Sequence, residues 1–555
     1  MNSSKQKSDK LNLSVYLSRA TFWLTLAVGI LLRVYRFAQV PAGYQMDEAY
    51  SAWNAYNLYH TGMDSAGRSF PVYFEAWGHG MNALNSYLML PFLAANGGDM
   101  VPWVMRMPQL LVSIGSLIAL YLLVKKLAGK ELALVSLFVL SIAPWHIMVS
   151  RWGLESQLLM GFLSMGLCLF VYGLEHPCLL PLSALCYGLS LYCYATIWPI
   201  LPIVLVLQVF YCLFTHRLKC SAWMWGSVIL LGVMALPLVG FLLVNMGYLK
   251  EFHIGVFSVY KMTKFRGNEL AHSLQDVIDH YKKFLYLMRY QDVSRPYDVI
   301  MPYGFFYSTG VFFILIGLSA SFVGAMKALF CDKSSRFSGY VLLWIQLLGA
   351  FLLAGMIPVG SMTQINCIYL PLIICEAIGI TTVVKGIAIC VARQKPSKAH
   401  RMVKFIPYFL LFVLSLYQAY GFVLEYFGNY ATFVSAYFQS DTDVAIRYAK
   451  EVAPVYSGKV YVNSAIKYPN VALYTETDAA EYLQSVCYNP SDMPAASSFS
   501  SDGVTYYMGY DPAVLDPSSI YVIYYTEQEL FKDYHLTAIN DWWLVAEPSS
   551  APTVP

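Results

Sequence analysis

The sequence predicts a polytopic α-helical membrane protein with a small α/β domain at its C-terminal end. Three observations carry this. Of 555 residues, 58% are apolar in type and only 12% are charged, about half the charged share of a soluble domain. The apolar residues gather in long runs, and about 20 mostly apolar residues suffice for one bilayer crossing. Beyond residue 430 the runs stop, and short strand-like segments punctuated by Pro and Ser take over.

The first run begins near Leu13, after the polar MNSSKQKSDK, with no small-residue cleavage site behind it. It therefore reads as a retained span rather than a signal peptide. The length criterion gives about eleven spans. They centre near 14–37, 102–124, 131–149, 154–174, 179–197, 199–215, 222–246, 303–327, 338–358, 364–384 and 405–425. Only Trp198 and Pro199 separate the fifth and sixth. Lys and Arg in short loops set orientation. Lys5, Lys7 and Lys10 precede the first span, and Lys125, Lys126 and Lys130 follow the second. Arg217 and Lys219 follow the sixth, and Lys327, Lys333 and Arg336 the eighth. Lys385, Arg393, Lys395, Lys398, Arg401 and Lys404 follow the tenth. All fall on one side if the N-terminus is cytoplasmic. The membrane core is then 1–425, with outer loops at 38–101 and 247–302. Residues 426–555 form an extracytoplasmic domain.

That domain reads as α/β, of roughly 120 residues. KVYVNS, VALYTE, VTYYMG, SIYVIYY and WWLVAE are strand-like, being rich in β-branched and aromatic residues. DTDVAIRYAKEVA and TEQELFKDY are helical in pattern, and EPSSAPTVP reads as a disordered tail. The net charge of +3 argues for no nucleic-acid partner. Of 11 cysteines only Cys487 lies beyond residue 430, so no disulfide framework is implied there. No Gly-rich phosphate loop of Walker or Rossmann pattern occurs.

Ionisable residues in a span cost about 2.5–3.5 kcal/mol each on insertion scales, which makes them functional candidates. On the outer side they are few: Asp47, Glu48, Glu75, His79, Arg106, His146, Arg151, Glu155 and the loop group Lys261, Lys264, Arg266 and Glu269. Each has a plain reading beside the functional one. Asp47 suits a helix N-cap. Tyr50, Trp53, Tyr56 and Tyr59 then recur every three residues as an aromatic face for the membrane interface. Neighbours on a helix point about 100° apart, so Asp47 and Glu48 do not share one task. One faces a cavity while the other pairs with a cation. Arg106 suits snorkelling to the headgroups. Arg151 and Glu155 are spaced for an intrahelical ion pair. Glu75 and His79 are either interfacial polarity or two ligands of a metal. No cofactor is firmly implied, and a divalent metal stays open. KMTKFRGNE is a solvated face or meets a lipid phosphate.

The ordered set resembles the glycosyltransferase C superfamily, in its protein O-mannosyltransferase and aminoarabinose transferase branch. The resemblance runs through PAGYQMDEAYSAWN, ALNSYLMLPFLAA and RMPQLLVSIGSLIALYLLVKKLAGKELALVSLFVLSIAPWHIMVSR. It implies a transferase moving a sugar from a polyprenyl-phosphate donor to an acceptor hydroxyl, with inversion, at the extracytoplasmic face of the cell membrane. The acceptor is a protein, a glycolipid or an envelope polymer. By the same resemblance Asp47 is the catalytic base, Glu48 its acidic neighbour and Glu155 the second acidic position, where relatives often carry Asp. Arg106, Arg151, Lys264 and Arg266 are the cations for the donor phosphate or for structure. GHGMNALN stands where relatives often carry a His-Pro-Pro stretch. The rival reading is a transporter or flippase of lipid-linked saccharide without transferase activity. Transporters carry ionisable groups near the bilayer midplane, whereas here they gather at one end.

Overall fold

The structure, a computed structural model, describes residues 2–77, 79–265, 270–291, 295–331, 337–394, 400–489 and 495–549. Arg266, Glu269, Lys333, Arg336, Lys395, Lys398 and the tail from 550 lie outside the described residues, as do the side chains of 2–17, 391–394 and 400–405.

The chain opens with α1 (Asn2–Val34), followed in the first loop by α2 (Met46–Thr61), strands β1 (Tyr73–Ala76) and β2 (His79–Asn82), and α3 (Leu84–Ala95). The bundle continues with α4 (Pro102–Ala128), α5 (Lys130–Ile142), α6 (Pro144–Val149), α7 (Leu158–Gly173), α8 (Leu180–Leu191), α9 (Ile200–Phe214) and α10 (Ala222–Asn245). The second loop holds β3 (Phe252–Ile254), β4 (Phe257–Val259) and the amphipathic α11 (Leu274–Tyr290). Then come α12 (Ser308–Phe330), α13 (Gly339–Met356), α14 (Tyr369–Gln394) and α15 (His400–Phe427).

Each predicted run carries a helix, and seven of the described helices are long and apolar enough to cross a membrane. Others are short: α5, α8 and α9 have 13, 12 and 15 residues. At about 1.5 Å per residue these fall short of a hydrocarbon core of about 30 Å. Pro144 splits the run 131–149 into α5 and α6, because proline has no N–H for the continuing ladder. On the outside of the bundle, Ile229, Val233 and Leu236 of α10 and Phe409, Leu410 and Val413 of α15 are exposed. Apolar stripes of that size are a liability in water. They suit a bilayer, and the chain is an integral membrane protein.

Inside the bundle, Arg33 at the end of α1 is fully buried. Its Nη1 donates to the carbonyls of Gly29 (2.6 Å) and Ser141 (3.1 Å), and its Nη2 to that of Leu140 (3.0 Å). The same group contacts Nδ1 of His146 at 2.5 Å, whose Nε2 meets Ser116 Oγ at 2.8 Å. Carbonyl dipoles replace the water this cation has lost, and His146 belongs to that network.

The C-terminal domain follows α16 (Asn429–Tyr437) and comprises α17 (Thr442–Val452), β5 (Lys459–Val462), α18 (Tyr468–Tyr474), α19 (Ala479–Ser485), β6 (Cys487–Tyr488), β7 (Ala496–Ser501), β8 (Val504–Met508), β9 (Ile520–Tyr524), β10 (Tyr534–Ala538) and β11 (Trp543–Pro548). Its seven strands run in the order β10-β11-β9-β5-β8-β7-β6. β5 pairs in parallel with β8 and β9. VALYTE is not the expected strand: its first four residues form the C-terminal part of α18 and Thr475 caps it. Pro469 sits in that helix's first turn, where a missing N–H costs nothing.

The aromatic face of α2 also differs from its expected place at the lipid interface. Tyr50 and Trp53 are each 1% exposed, and they pack on the C-terminal domain. Trp53 meets Tyr482 edge-on at 5.1 Å, Tyr50 meets Tyr468 at 6.4 Å, and Tyr44 stacks on Tyr474 at 5.2 Å. Asn470 Nδ2 donates to Tyr44 O at 2.8 Å, and the Tyr488 hydroxyl donates to Ser65 O. Buried aromatic pairs are worth about 0.5–1.5 kcal/mol each beyond their area. Deleting residues 441–555 is therefore expected to bare Trp53 and Tyr50 and leave the core aggregated. A single monodisperse peak of the truncated core in gel filtration would contradict this.

Candidate active site

The start of α2 is capped by Gln45. Its Oε1 accepts from the backbone N–H of Asp47 (2.6 Å) and of Glu48 (3.2 Å), satisfying two of the orphan donors of a helix N-terminus. The cap is thus two residues earlier than expected, and the Asp47 carboxylate is turned to other partners. Its Oδ1 accepts from Trp77 Nε1 at 2.9 Å, and its Oδ2 from Gln45 Nε2 at 3.4 Å. Trp77 stands in the two-residue connection between Ala76 and His79, which pair as the last residues of β1 and β2. Its φ of 53° lies in the left-handed region, which is costly for a bulky residue and is found where the surroundings over-determine it.

Glu48, one residue on, points into the protein. Both its oxygens are taken by Arg106, with Nε to Oε1 at 2.7 Å and Nη2 to Oε2 at 3.0 Å. Oε1 also accepts from Gly153 N at 2.8 Å. The remaining donors of Arg106 reach the carbonyls of Pro41 (2.7 Å), Gly43 (2.8 Å) and Ala38 (3.5 Å). Neither side chain of the pair is exposed to solvent. Arg106 does not snorkel: it ties the first loop to α4.

Arg151 and Glu155 do not form the i,i+4 pair their spacing allows, because the chain leaves helix after Val149 and re-enters it through a short 3-10 turn at Glu155–Gln157. Arg151 instead donates to Val40 O (3.2 Å), Arg33 O (2.8 Å) and Arg36 O (2.9 Å). It satisfies carbonyls at the C-terminal end of α1 and just beyond it. Its guanidinium also lies over the Phe427 ring at 4.9 Å. Glu155 is buried and acts electrostatically on Cys193.

The second loop brings residues the sequence reading passed over. Arg295, Tyr297 and Asp298 follow α11 and reach the mouth of α2. Lost hydration opposes the charge of Arg295, and Tyr297, Asp298 and Asp47 outweigh it, holding its pKa above the ordinary value. Arg295 is exposed, whereas Arg106 and Arg151 are fully buried. Asp298 is also fully buried. Its Oδ2 accepts from Ser361 Oγ at 2.6 Å, while its Oδ1 has no hydrogen-bond partner.

Burial pushes the Asp298 carboxyl up to about 6, with Ser361 and Arg295 pulling it down and Asp47 pushing it up. A carboxyl raised in the folded state favours folding below its unfolded pKa, and that contribution fades as pH rises through about 6. The shift corresponds to on the order of 3 kcal/mol. Asp298→Asn is therefore expected to flatten the fall in melting temperature between about pH 4 and about pH 7. Equal pH dependence in the two proteins would rule this out.

Glu75 is buried, pairs with Arg68 at 2.7 Å, and accepts from Thr263 N at 2.5 Å. It holds the second loop to the first. Among the described residues, no three His, Cys, Asp or Glu side chains gather as a metal site. Lys264 is exposed, next to that Thr263 anchor.

Neither a protein-family model nor a curated protein matches the chain. Among solved structures it is similar to ArnT from Cupriavidus metallidurans in the apo state, with 12% identity and a TM-score of 0.50 over 97% of this chain and 98% of that one. ArnT bound to undecaprenyl phosphate matches with 12% identity and a TM-score of 0.46 over 98% and 99%. The oligosaccharyltransferase AglB of Archaeoglobus fulgidus, in complex with an inhibitory peptide and a dolichol-phosphate, matches with 11% identity and a TM-score of 0.47 over 79% of this chain and 58% of that one. At such identity the likeness concerns architecture. The chain has the ArnT fold from end to end, membrane bundle and C-terminal domain together.

Proposed function

We propose that this chain is a glycosyltransferase that moves one sugar from a polyprenyl-phosphate donor to an acceptor hydroxyl at the extracytoplasmic membrane face. The observation that carries the reading is Asp47: a carboxylate held by Trp77 and Gln45 within the field of an accessible guanidinium, Arg295. The fold shared with ArnT agrees with it. Asp47 takes the proton of the acceptor hydroxyl as that oxygen attacks C1 of the sugar. The bond from C1 to the phosphate oxygen breaks on the opposite side, so the anomeric centre inverts. A base within about 3 Å of the hydroxyl suffices for the proton. The leaving phosphate is a stable anion and needs cationic stabilisation rather than a general acid. Arg295, with Lys264 as a second exposed cation, takes that task, because Arg106 and Arg151 spend their donors within the protein. Glu48 holds and Asp47 reacts. Glu155 is the second acidic residue, buried and acting on Cys193. The lipid tail of the donor remains between helices. The acceptor is a protein, a glycolipid or an envelope polymer.

The test uses purified full-length protein with polyprenyl-phosphate-linked sugars and members of each acceptor class. Release of polyprenyl phosphate with a glycosylated acceptor is the expected result. Unchanged donor with every acceptor, from monodisperse protein, would sink the reading. Movement of intact donor across vesicles would turn it toward a flippase.

Trp77 is a positioning residue in this scheme. A hydrogen bond to a charged group is worth about 1.5–3 kcal/mol, so Trp77→Phe is expected to lower kcat by about tenfold or more. Removing a donor from a carboxylate also raises its pKa. The acid limb of the kcat profile should move to higher pH, a shift that a merely structural loss would not cause.

A further inference from the structure

One cavity lies away from Asp47. It measures about 640 Å³ and runs between α4, α7, α13 and α14. Its walls are apolar, with Leu123 on α4, Leu163, Leu167 and Val171 on α7, and Leu370 and Ile374 on α14. One end is rimmed by Lys126, His216, Arg217 and Lys219, all exposed. Glu175 is the acid among the lining residues, and it is already paired with Lys126. The other end reaches Asn366. This side chain is fully buried and donates to Ser156 O at 2.9 Å, while its Oδ1 has no partner.

An apolar slot with a cationic rim, set in a membrane bundle, matches one chemical class: a long-chain amphiphile with an anionic head. The volume is within the usual range for a small-ligand site, about 300–1,000 Å³. The rim also excludes the sugar donor as the occupant. Arg106, which holds the first loop, and Lys126 lie on the same helix α4 and are about 30 Å apart along it. A phosphate at Lys126 therefore carries its sugar far from Asp47. We propose that the cavity holds an acyl chain of an anionic phospholipid, with the lipid phosphate on Arg217 and Lys219 beside the Lys126–Glu175 pair. The tip of the chain ends at Asn366, one residue contact from the Ser156 carbonyl beside Glu155. This inference stands apart from the transferase reading, since it concerns binding alone.

Native mass spectrometry of the purified full chain tests it, with phosphatidylglycerol and phosphatidylcholine of identical acyl chains added to delipidated protein. The expected result is one retained phosphatidylglycerol, preferred about tenfold over phosphatidylcholine. Arg217→Gln with Lys219→Gln should lower phosphatidylglycerol retention about tenfold and leave phosphatidylcholine unchanged. Both residues are exposed, so the fold should tolerate the change. Ser164→Phe, which fills the slot from a buried wall position, should lower lipid retention with the rim intact. Its melting temperature shows whether it folds, and if it does not, the rim variant decides alone. Equal retention of the two lipids by the unaltered protein, or unchanged phosphatidylglycerol retention in the rim variant, overturns the proposal. So does displacement of the lipid by glycerol 3-phosphate, which would mean a surface phosphate site without the slot.

Discussion

Asp47→Asn is expected to lower sugar transfer by about 10²- to 10⁴-fold, the usual contribution of a positioned general base. The substitution is nearly isosteric. The amide oxygen still accepts from Trp77, which donates at 2.9 Å in the unaltered protein, and the cap is made by Gln45 through backbone N–H groups. Melting temperature and membrane insertion should therefore stay the same. Donor binding should change little, since the phosphate is assigned to Arg295 and Lys264. The loss belongs in kcat. Transfer within about tenfold of the unaltered protein would remove Asp47 from the base role.

Glu48→Gln is expected to destabilise the fold by about 3–5 kcal/mol, the cost of leaving a buried charge without its partner. Arg106 is 0% exposed and its nearest carboxylate is Glu48. The neutral amide keeps the shape but not the charge. Glu48→Gln combined with Arg106→Met should regain much of the lost stability, because replacing both members of a buried pair by neutral groups is often close to neutral. Melting temperatures of the two single variants and the double variant check this. A Glu48→Gln protein that melts normally but transfers no sugar would move Glu48 from tie to chemistry.

Two adjacent carboxylates with the same local sequence around them thus come to opposite expected phenotypes, one kinetic and one structural. That division was half legible in the sequence. The helical rotation of about 100° between neighbours says that their tasks differ. It does not say which residue faces inward, because that depends on where Arg106 and Gly153 pack. The Arg151–Glu155 spacing misled for a related reason. A four-residue spacing makes an ion pair only where the helix continues, and here it breaks after Val149. VALYTE misled through propensity: Val, Leu and Tyr favour strands weakly, and Pro469 with tertiary packing overrides them.

Arg295 and Asp298 were the larger omission. They stand in RPYD, within a loop whose cations at 261–266 drew attention first. The rule that marks Asp47, a charge in an outer loop beside a span, marks them equally well. No local pattern tells that the loop folds back over α2, or that Asp298 is buried there with one unpartnered oxygen.

The sequence by itself determined the membrane bundle and the α/β domain at its C-terminal end. Transfer of a segment between water and hydrocarbon depends mainly on its own composition, so those features can be read residue by residue. Only the tertiary structure decided that α2 docks its aromatic face on the C-terminal domain, that Arg106 and Arg151 are spent inside the protein, and that Arg295 stays accessible near Asp47. These depend on which groups replace lost water for a buried charge. The groups that do so here, the carbonyls of Pro41 and Gly43 for Arg106 and those of Arg33 and Arg36 for Arg151, lie more than sixty residues away in the chain.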